Sequence, residues 1–102
     1  MKNIEVPPLN QYDFSSLENM WVDLVLEEIK ELIEAGKICD CQDCVLDLAA
    51  ISLNSLTPKY WVMSKYNLYV PPDSFASDPQ NRKITRDAVK AALLLVERNP
   101  HH

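Results

Sequence analysis

The sequence predicts a small, mainly α single domain of three to four helices with a short β-hairpin, expected to form a dimer. A chain of 102 residues has the length of one domain. It contains a single glycine, whereas about 7% is usual, and glycine supplies the tight turns that all-β folds need. A hydrophobic content of 47% with 25% charged residues is that of a globular protein and excludes intrinsic disorder.

The first 58 residues account for the first two helices. Residues 1–15 are predicted to be an extended N-terminal arm and residues 16–102 the helical domain. The first helix is expected from about Ser16 to Ala35, because Ser15 and Glu18 have capping-box spacing and Gly36 suits a helix end. Its acid-rich side is interpreted as a solvated face, and its widened apolar surface as core or a dimer contact. The second helix is expected from about Asp43 to Leu56, where Thr57-Pro58 ends it.

The remaining residues predict a hairpin and a third helix. Tyr60–Met63 and Asn67–Val70 are rich in aromatic and β-branched residues and are expected to pair. Asp78-Pro79 predicts a helix start, with the helix running to about Arg98. The residues expected to face the core on this helix are Ile84, Ala88, Ala91, Ala92, Leu95 and Val96.

The charge of the chain indicates which partners it can bind, and its lack of targeting patterns indicates its expected location. The net charge of −5 disfavours long nucleic acid and anionic membranes, since both need a positive protein surface. Residues 59–102 nevertheless carry seven bases against four acids, so this half suits a small anion. No stretch is typical of a signal peptide or a membrane span, and a cytoplasmic protein is expected.

Three cysteines within six residues form a C-x-C-x-x-C run. Cys39, Cys41 and Cys44 match the spacing with which thiolates of one turn bind a zinc ion. Zinc is the expected cofactor, and the alternatives are reduced thiols without metal, a redox pair or an iron–sulfur cluster. The fourth ligand stays open among the carboxylates of Asp40 and Asp43, the imidazoles of His101 and His102, and water.

A catalytic role is not expected. A nucleophile needs a neighbouring base, and no histidine occurs before residue 101. Three thiolates would also make the metal ion electron-rich and therefore a weak Lewis acid.

The cysteine run and the segment after it closely resemble the late competence development protein ComFB family. That family reads roughly C-x-C-x-x-C, then Asp-[Ile/Val/Leu]-x-Ala-x-[Ala/Ser]-Leu-Asn-x-Leu-Pro-Pro-x-Tyr-Val. Besides the cysteines, the matching residues here are Asp47, Ala50, Leu53, Asn54, Leu56, Pro58 and Tyr60. The resemblance spans about residues 18–102, with Thr57 in place of a proline and Trp61 in place of an aliphatic residue.

The resemblance implies small helical dimers, with a metal at the cysteines in some members. It also implies that some members are receptors for cyclic dinucleotides, chiefly cyclic di-GMP and in places cyclic di-AMP. Such a ligand needs flat surfaces for its purines and cations for its phosphates. The candidate ligand-binding residues are Asn54, Lys59, Tyr60, Trp61, Arg82 and Arg86.

These candidates also have structural interpretations. The aromatic residues can belong to the hairpin core, the arginines to a solvated helix face, and Asn54 to a helix cap. The alternative function is a zinc-stabilised adaptor that binds a protein partner and no small molecule. The downstream partner is not specified by the sequence under either hypothesis.

Overall fold

The computed structural model describes residues 2–63 and 72–98. Two short 3-10 helices, Lys2–Glu5 and Leu9–Gln11, precede strand β1. The elements that follow are β1 (Leu17–Asn19), α1 (Trp21–Glu34), α2 (Gln42–Asn54), β2 (Tyr60–Val62), α3 (Pro72–Ala76) and α4 (Pro79–Arg98). The predicted strand Asn67–Val70 and the histidines His101 and His102 lie outside the described residues.

Helix α1 begins at Trp21, five residues later than the capping-box spacing predicts. The Ser15 N–H donates to the side chain of Asp13 at 2.8 Å, and Leu17 belongs to a strand. The predicted start at Ser16 is therefore wrong. The predicted end is confirmed, because Gly36 has a φ of 66° and its N–H donates to the carbonyl of Ile33.

Strands β1 and β2 form a two-stranded antiparallel sheet. Glu18 lies opposite Trp61 at its centre, and the Met20 N–H donates to the Lys59 carbonyl at 2.7 Å. The side-chain oxygen of Asn19 accepts from the N–H groups of both Trp21 and Lys59, which ties the start of α1 to the start of β2. The predicted strand at Tyr60 is thus confirmed, and its partner in the structure is Leu17–Asn19.

Helices α2 and α4 lie where the sequence places them. Helix α4 starts after Asp78, whose side chain accepts from the Gln80 N–H at 2.9 Å. Its buried residues are Thr85, Val89 and Ala92. The expected inward face was wrong at Ile84, Ala91 and Leu95, which are exposed. Thr85 can be buried because its hydroxyl donates to the Asn81 carbonyl at 2.8 Å.

The core lies between α1, α2 and α4, with one aromatic cluster at the sheet end. The Phe75 ring makes edge-to-face contacts with Trp21 at 4.8 Å and with Trp61 at 5.6 Å between centroids. The other buried hydrophobic residues of the cluster are Leu24, Val25, Ile29, Leu48, Leu56, Val89 and Ala92. The fold is thus mainly helical with a small antiparallel sheet, as predicted.

The N-terminal arm is less extended than expected. It contains the two 3-10 helices, and Val6, Leu9 and Tyr12 keep 56%, 39% and 64% of their surface exposed. None of the described helices combines the length and apolarity that crossing a membrane would require. The domain boundary at residue 15, the dimer and the cytoplasmic location stay predictions.

Candidate metal centre and ligand surface

The three cysteines come together at the start of α2. Cys39 is exposed, Cys41 is half-buried, and Cys44 is buried on the first turn of the helix. Their three Sγ atoms all lie within 4.8 Å of one another. Thiolates on a tetrahedral zinc ion lie about 3.8 Å apart, given a zinc–sulfur bond of about 2.3 Å. The cluster is therefore close to the size that a bound metal ion needs.

Cys41 is the residue that caps α2. The Cys44 N–H donates to the Cys41 Sγ at 3.4 Å, where a serine or aspartate oxygen more often accepts. This hydrogen bond from Cys44 lowers the pKa of the Cys41 thiol, and a smaller contribution comes from the Cys39 side chain. The local geometry thus favours the thiolate, which is the form that binds metal.

The donor set is that of a soft-metal site. Among residues 2–63 and 72–98, the only cluster of metal-ligating side chains consists of these three cysteines, so neither Asp40 nor Asp43 belongs to it. Three thiolates suit zinc, because structural zinc sites are built from cysteine and histidine. The chain therefore has a candidate three-cysteine metal site, and the predicted ligands Cys39, Cys41 and Cys44 form it.

A cavity of about 300 Å³ adjoins the cysteine cluster. Its lining includes Cys39 and Cys44 of the cluster and Glu97 from the last turn of α4. The apolar lining includes Leu48 and Val96. The space next to the candidate metal site is thus shared by the start of α2 and the end of α4.

The two aromatic residues predicted to bind the ligand, Tyr60 and Trp61, have different surroundings on β2. Tyr60 is 60% exposed and lines a groove of about 470 Å³, together with Glu18 and Asp23. Trp61 instead packs its ring against Phe75, so its side chain contributes to the core cluster. Lys59 is exposed immediately before the strand. The alternation of the strand therefore presents Tyr60 to the groove and turns Trp61 toward the core.

The two predicted arginines lie against the acidic side of α1. Arg82 Nη2 is 3.5 Å from Glu27 Oε2, and Arg86 Nε is 3.6 Å from Glu28 Oε1. The arginine side chains keep 38% and 52% of their surface exposed, whereas that of Glu28 keeps 13%. The interpretation of this acidic side as a solvated face was therefore wrong at Glu28, whose side chain is mostly buried. The basic stripe of Arg82 and Arg86 and the acidic side of α1 are both visible in the sequence, but their pairing is not.

The acidic partner of Arg82 lies on the helix face that also lines the Tyr60 groove. Asp23 of the groove and Glu27, the partner of Arg82, are four residues apart and so lie one turn apart on the same face of α1. One turn is about 5.4 Å. Arg82 therefore pairs with the same face of α1 that contributes Asp23 to the groove.

Asn54 and the metal cluster lie at opposite ends of α2. Cys44 is ten residues before Asn54, a rise of about 15 Å along the helix. Asn54 is exposed and precedes the loop that leads to Lys59 and Tyr60. The candidate metal site and the candidate ligand surface are thus separate sites joined by one helix. Sequence reasoning missed Asn19, whose role in joining β1 to β2 has no local signature.

Comparisons with known proteins show similarity over most of the chain. The sequence model of the family described as "Late competence development protein ComFB" matches residues 18–100. A solved structure described as "Structural characterization of the late competence protein ComFB from Bacillus subtilis" is similar in fold, with a TM-score of 0.64 and 24% identity. This match covers 82% of the present chain and 91% of that chain. None of the curated proteins matches the sequence. Since the family model covers most of the chain, this protein belongs to the ComFB family of late competence development proteins.

Proposed function

We propose that this protein is a non-enzymatic receptor for a cyclic dinucleotide, cyclic di-GMP or cyclic di-AMP, with a zinc ion at Cys39, Cys41 and Cys44. The family to which the chain belongs is described by a role in late competence development, and that description names no enzymatic activity. The only two histidines of the chain are His101 and His102, which supports the absence of an imidazole-based catalytic site.

The observation that carries the proposal is the pairing of Arg82 with Glu27, one helical turn from Asp23 of the Tyr60 groove, with Arg86 one turn further along α4. Both ion pairs are longer than a direct charge-assisted hydrogen bond, at 3.5 and 3.6 Å, and both guanidinium groups are partly exposed. The Arg82–Glu27 pair, in which both side chains are partly exposed, contributes about 0–1 kcal/mol, so an incoming phosphate displaces this carboxylate at little cost. A phosphate also accepts two parallel hydrogen bonds from one guanidinium group.

The groove suits a base better than a phosphate. Tyr60 offers an exposed ring for stacking, while Glu18 and Asp23 repel anions and accept hydrogen bonds from the exocyclic amino group of a purine. In this proposal one purine stacks on Tyr60 and the phosphates bind the arginines on α4. Lys59, next to Tyr60, would add a second cation.

The proposed role of zinc is structural. The cluster fixes the loop before α2 and the first turn of that helix, about 15 Å along the helix from Asn54. A structural zinc site contributes directly to folding free energy. The ion would therefore stabilise the domain that carries the ligand surface, without touching the nucleotide.

The test is a calorimetric titration of the zinc-loaded protein with cyclic di-GMP and then with cyclic di-AMP. We expect micromolar or tighter binding of one of them, and one ligand per two chains would place the symmetric ligand between two copies. The bound nucleotide should also raise the melting temperature by mass action. Absence of both heat and thermal shift with either nucleotide would refute the receptor function.

The second candidate is a zinc-stabilised adaptor without a small-molecule ligand. Its supporting observation is the arm, where Val6, Leu9 and Tyr12 expose apolar surface that a protein partner could cover. A metal chelator should destabilise the protein under either proposal, but only the receptor gains stability from a nucleotide. The same thermal-shift experiment therefore separates the two.

A further inference from the structure

We infer that Cys41 and Cys44 form a disulfide bond when a peroxide oxidises the protein, and that this bond releases the metal ion from the three-cysteine site. This inference rests on the metal site of the proposed function and is independent of the nucleotide. The starting observation is that the Sγ atoms of Cys39, Cys41 and Cys44 all lie within 4.8 Å of one another. The arrangement that suits a metal ion therefore also suits a sulfur–sulfur bond.

The first turn of α2 sets the backbone separation of Cys41 and Cys44. Cys41 is the N-cap of this helix, and Cys44 follows three residues later. Helical geometry places Cα atoms three residues apart at about 5 Å, and disulfides have Cα–Cα separations of about 4.4–6.8 Å. The Cys41 Sγ already accepts a hydrogen bond from the Cys44 N–H at 3.4 Å. The two sulfur atoms can therefore meet by side-chain rotation, without a shift of the helix.

A small oxidant has access to this pair of cysteines. Cys41 is half-buried, whereas Cys44 is buried. Cys44 nevertheless lines the cavity of about 300 Å³, together with the exposed Cys39. This volume is large enough for several molecules of the size of water or hydrogen peroxide. Peroxide can thus react at Cys41, with Cys44 beside it to complete the disulfide.

One molecule of hydrogen peroxide suffices for the reaction. The Cys41 sulfur attacks one peroxide oxygen, the O–O bond breaks, and Cys41 becomes a sulfenic acid while the other oxygen leaves as water. The Cys44 sulfur then attacks the Cys41 sulfur, the S–O bond breaks, and the S–S bond forms with loss of a second water molecule. Two thiols have then lost two electrons and two protons, which the peroxide has gained.

Disulfide formation removes two of the three metal ligands. The thiolate is the form of cysteine that binds metal, and the chain has three cysteines, so Cys39 alone would remain. One cysteine does not replace the four ligands of a structural zinc site. A dithiol reductant regenerates both thiols by exchange. The same residues therefore give the site a reduced state that binds metal and an oxidised state that does not.

The test is peroxide treatment of the reduced, metal-free full-length chain. The remaining thiols are alkylated, and a protease that cleaves before aspartate separates the three cysteines, because Asp40 and Asp43 lie between them. Mass spectrometry should then find residues 40–42 joined to residues 43–46, with the alkyl group on Cys39. A main product joined through Cys39, or oxidation to sulfinic acids without a disulfide, would overturn the inference.

Two single substitutions compare the alternative pairs. Cys39→Ser keeps the proposed pair and should form the disulfide as fast as the parent chain. Cys41→Ser keeps Cys39 and Cys44 and should form a disulfide at least tenfold more slowly. Serine is a good N-cap, so this variant should retain the start of α2, which circular dichroism checks. Equal rates in the two variants would contradict the assignment of the pair.

The consequence for the metal is measured on the zinc-loaded chain, with untreated protein as the control. We expect peroxide to release one zinc ion per chain to a coloured chelator as the joined peptides appear, and dithiothreitol to restore zinc binding. Retention of zinc by the disulfide-linked chain would refute the proposed release. Failure of the reduced parent chain to bind zinc would instead refute the metal site itself, while the peptide masses from the metal-free chain would still decide whether the disulfide forms.

Discussion

The indole N–H of Trp21 donates a hydrogen bond to the main-chain carbonyl of Thr57 at 2.8 Å. Trp21 is the first residue of α1, and Thr57 lies between α2 and β2. The bond therefore joins two parts of the chain that are 36 residues apart. Thr57 is one of the two positions at which the sequence departs from the family pattern, but the acceptor belongs to the main chain, so the departure does not remove this bond.

Replacement of Trp21 should destabilise the domain. Trp21→Phe removes the donor and leaves a smaller ring at a site that is 4% exposed, which should cost about 2 kcal/mol in free energy of unfolding. Urea denaturation measures the difference. Thr57→Ala is the matched control, because it keeps the carbonyl and changes an exposed side chain; its effect should stay within about 0.5 kcal/mol. Equal stability of Trp21→Phe and the parent chain would show that the bond contributes nothing.

Gly36 should be sensitive to any side chain for a backbone reason alone. Its φ of 66° is left-handed, while a Cβ built there meets no atom within 4 Å. Gly36→Ala should therefore destabilise the protein by about 1–2 kcal/mol without a steric clash. Gly36→Asn should cost less, because asparagine tolerates this conformation better. Chemical denaturation of the two variants provides the comparison, and a larger loss with asparagine would contradict it.

Removal of metal should lower the melting temperature. A chelator should shift it downward by several degrees, since about 1 kcal/mol corresponds to about 4–8 °C in a domain of this size. Cys44→Ser removes the buried candidate ligand, and a chelator should no longer affect the melting temperature of this variant. Asp40→Asn serves as the control that retains the response, because Asp40 lies outside the cluster. If the chelator leaves the melting temperature of the parent chain unchanged, the protein has no structural metal.

Arg86 should contribute to nucleotide affinity. Arg86→Ala removes a partly exposed guanidinium group and should weaken cyclic dinucleotide binding at least tenfold in a calorimetric titration. Lys83→Ala is the matched control on the same helix, since Lys83 is exposed and pairs with Asp87 at 3.7 Å. Its affinity should equal that of the parent chain. If Arg86→Ala binds as tightly as the parent, Arg86 does not belong to the site.

The elements that the sequence predicted well have their signals within a few residues. Asp78-Pro79 marks the start of α4, and Gly36 marks the end of α1, because helix ends are set by local hydrogen bonds and backbone angles. The cysteine cluster is equally local, since a helix start and a short loop bring its three thiols together. Short-range spacing therefore sufficed for these features.

The errors have non-local causes. Leu17 pairs with Val62, 45 residues away, and this pairing overrides the capping-box pattern of Ser15 and Glu18. On α4, a hydropathy pattern treats Thr85 as polar, although its hydroxyl is satisfied by the helix backbone and the residue is fully buried. The pairing of Arg86 with Glu28 likewise joins two helices and has no signature in either alone.

The pairing of β1 with β2 has a consequence for the order of folding. It closes a loop of about 40 residues that contains α1, the cysteine segment and α2. The turn between α1 and α2 is short, so these two helices can meet before the strands do. Once α1 and α2 have packed together, the loop between β1 and β2 has already lost most of the conformational entropy that pairing of the two strands would cost. We therefore expect the sheet to form late in folding, after the transition state. Substitutions that weaken the sheet should then accelerate unfolding more than they slow folding.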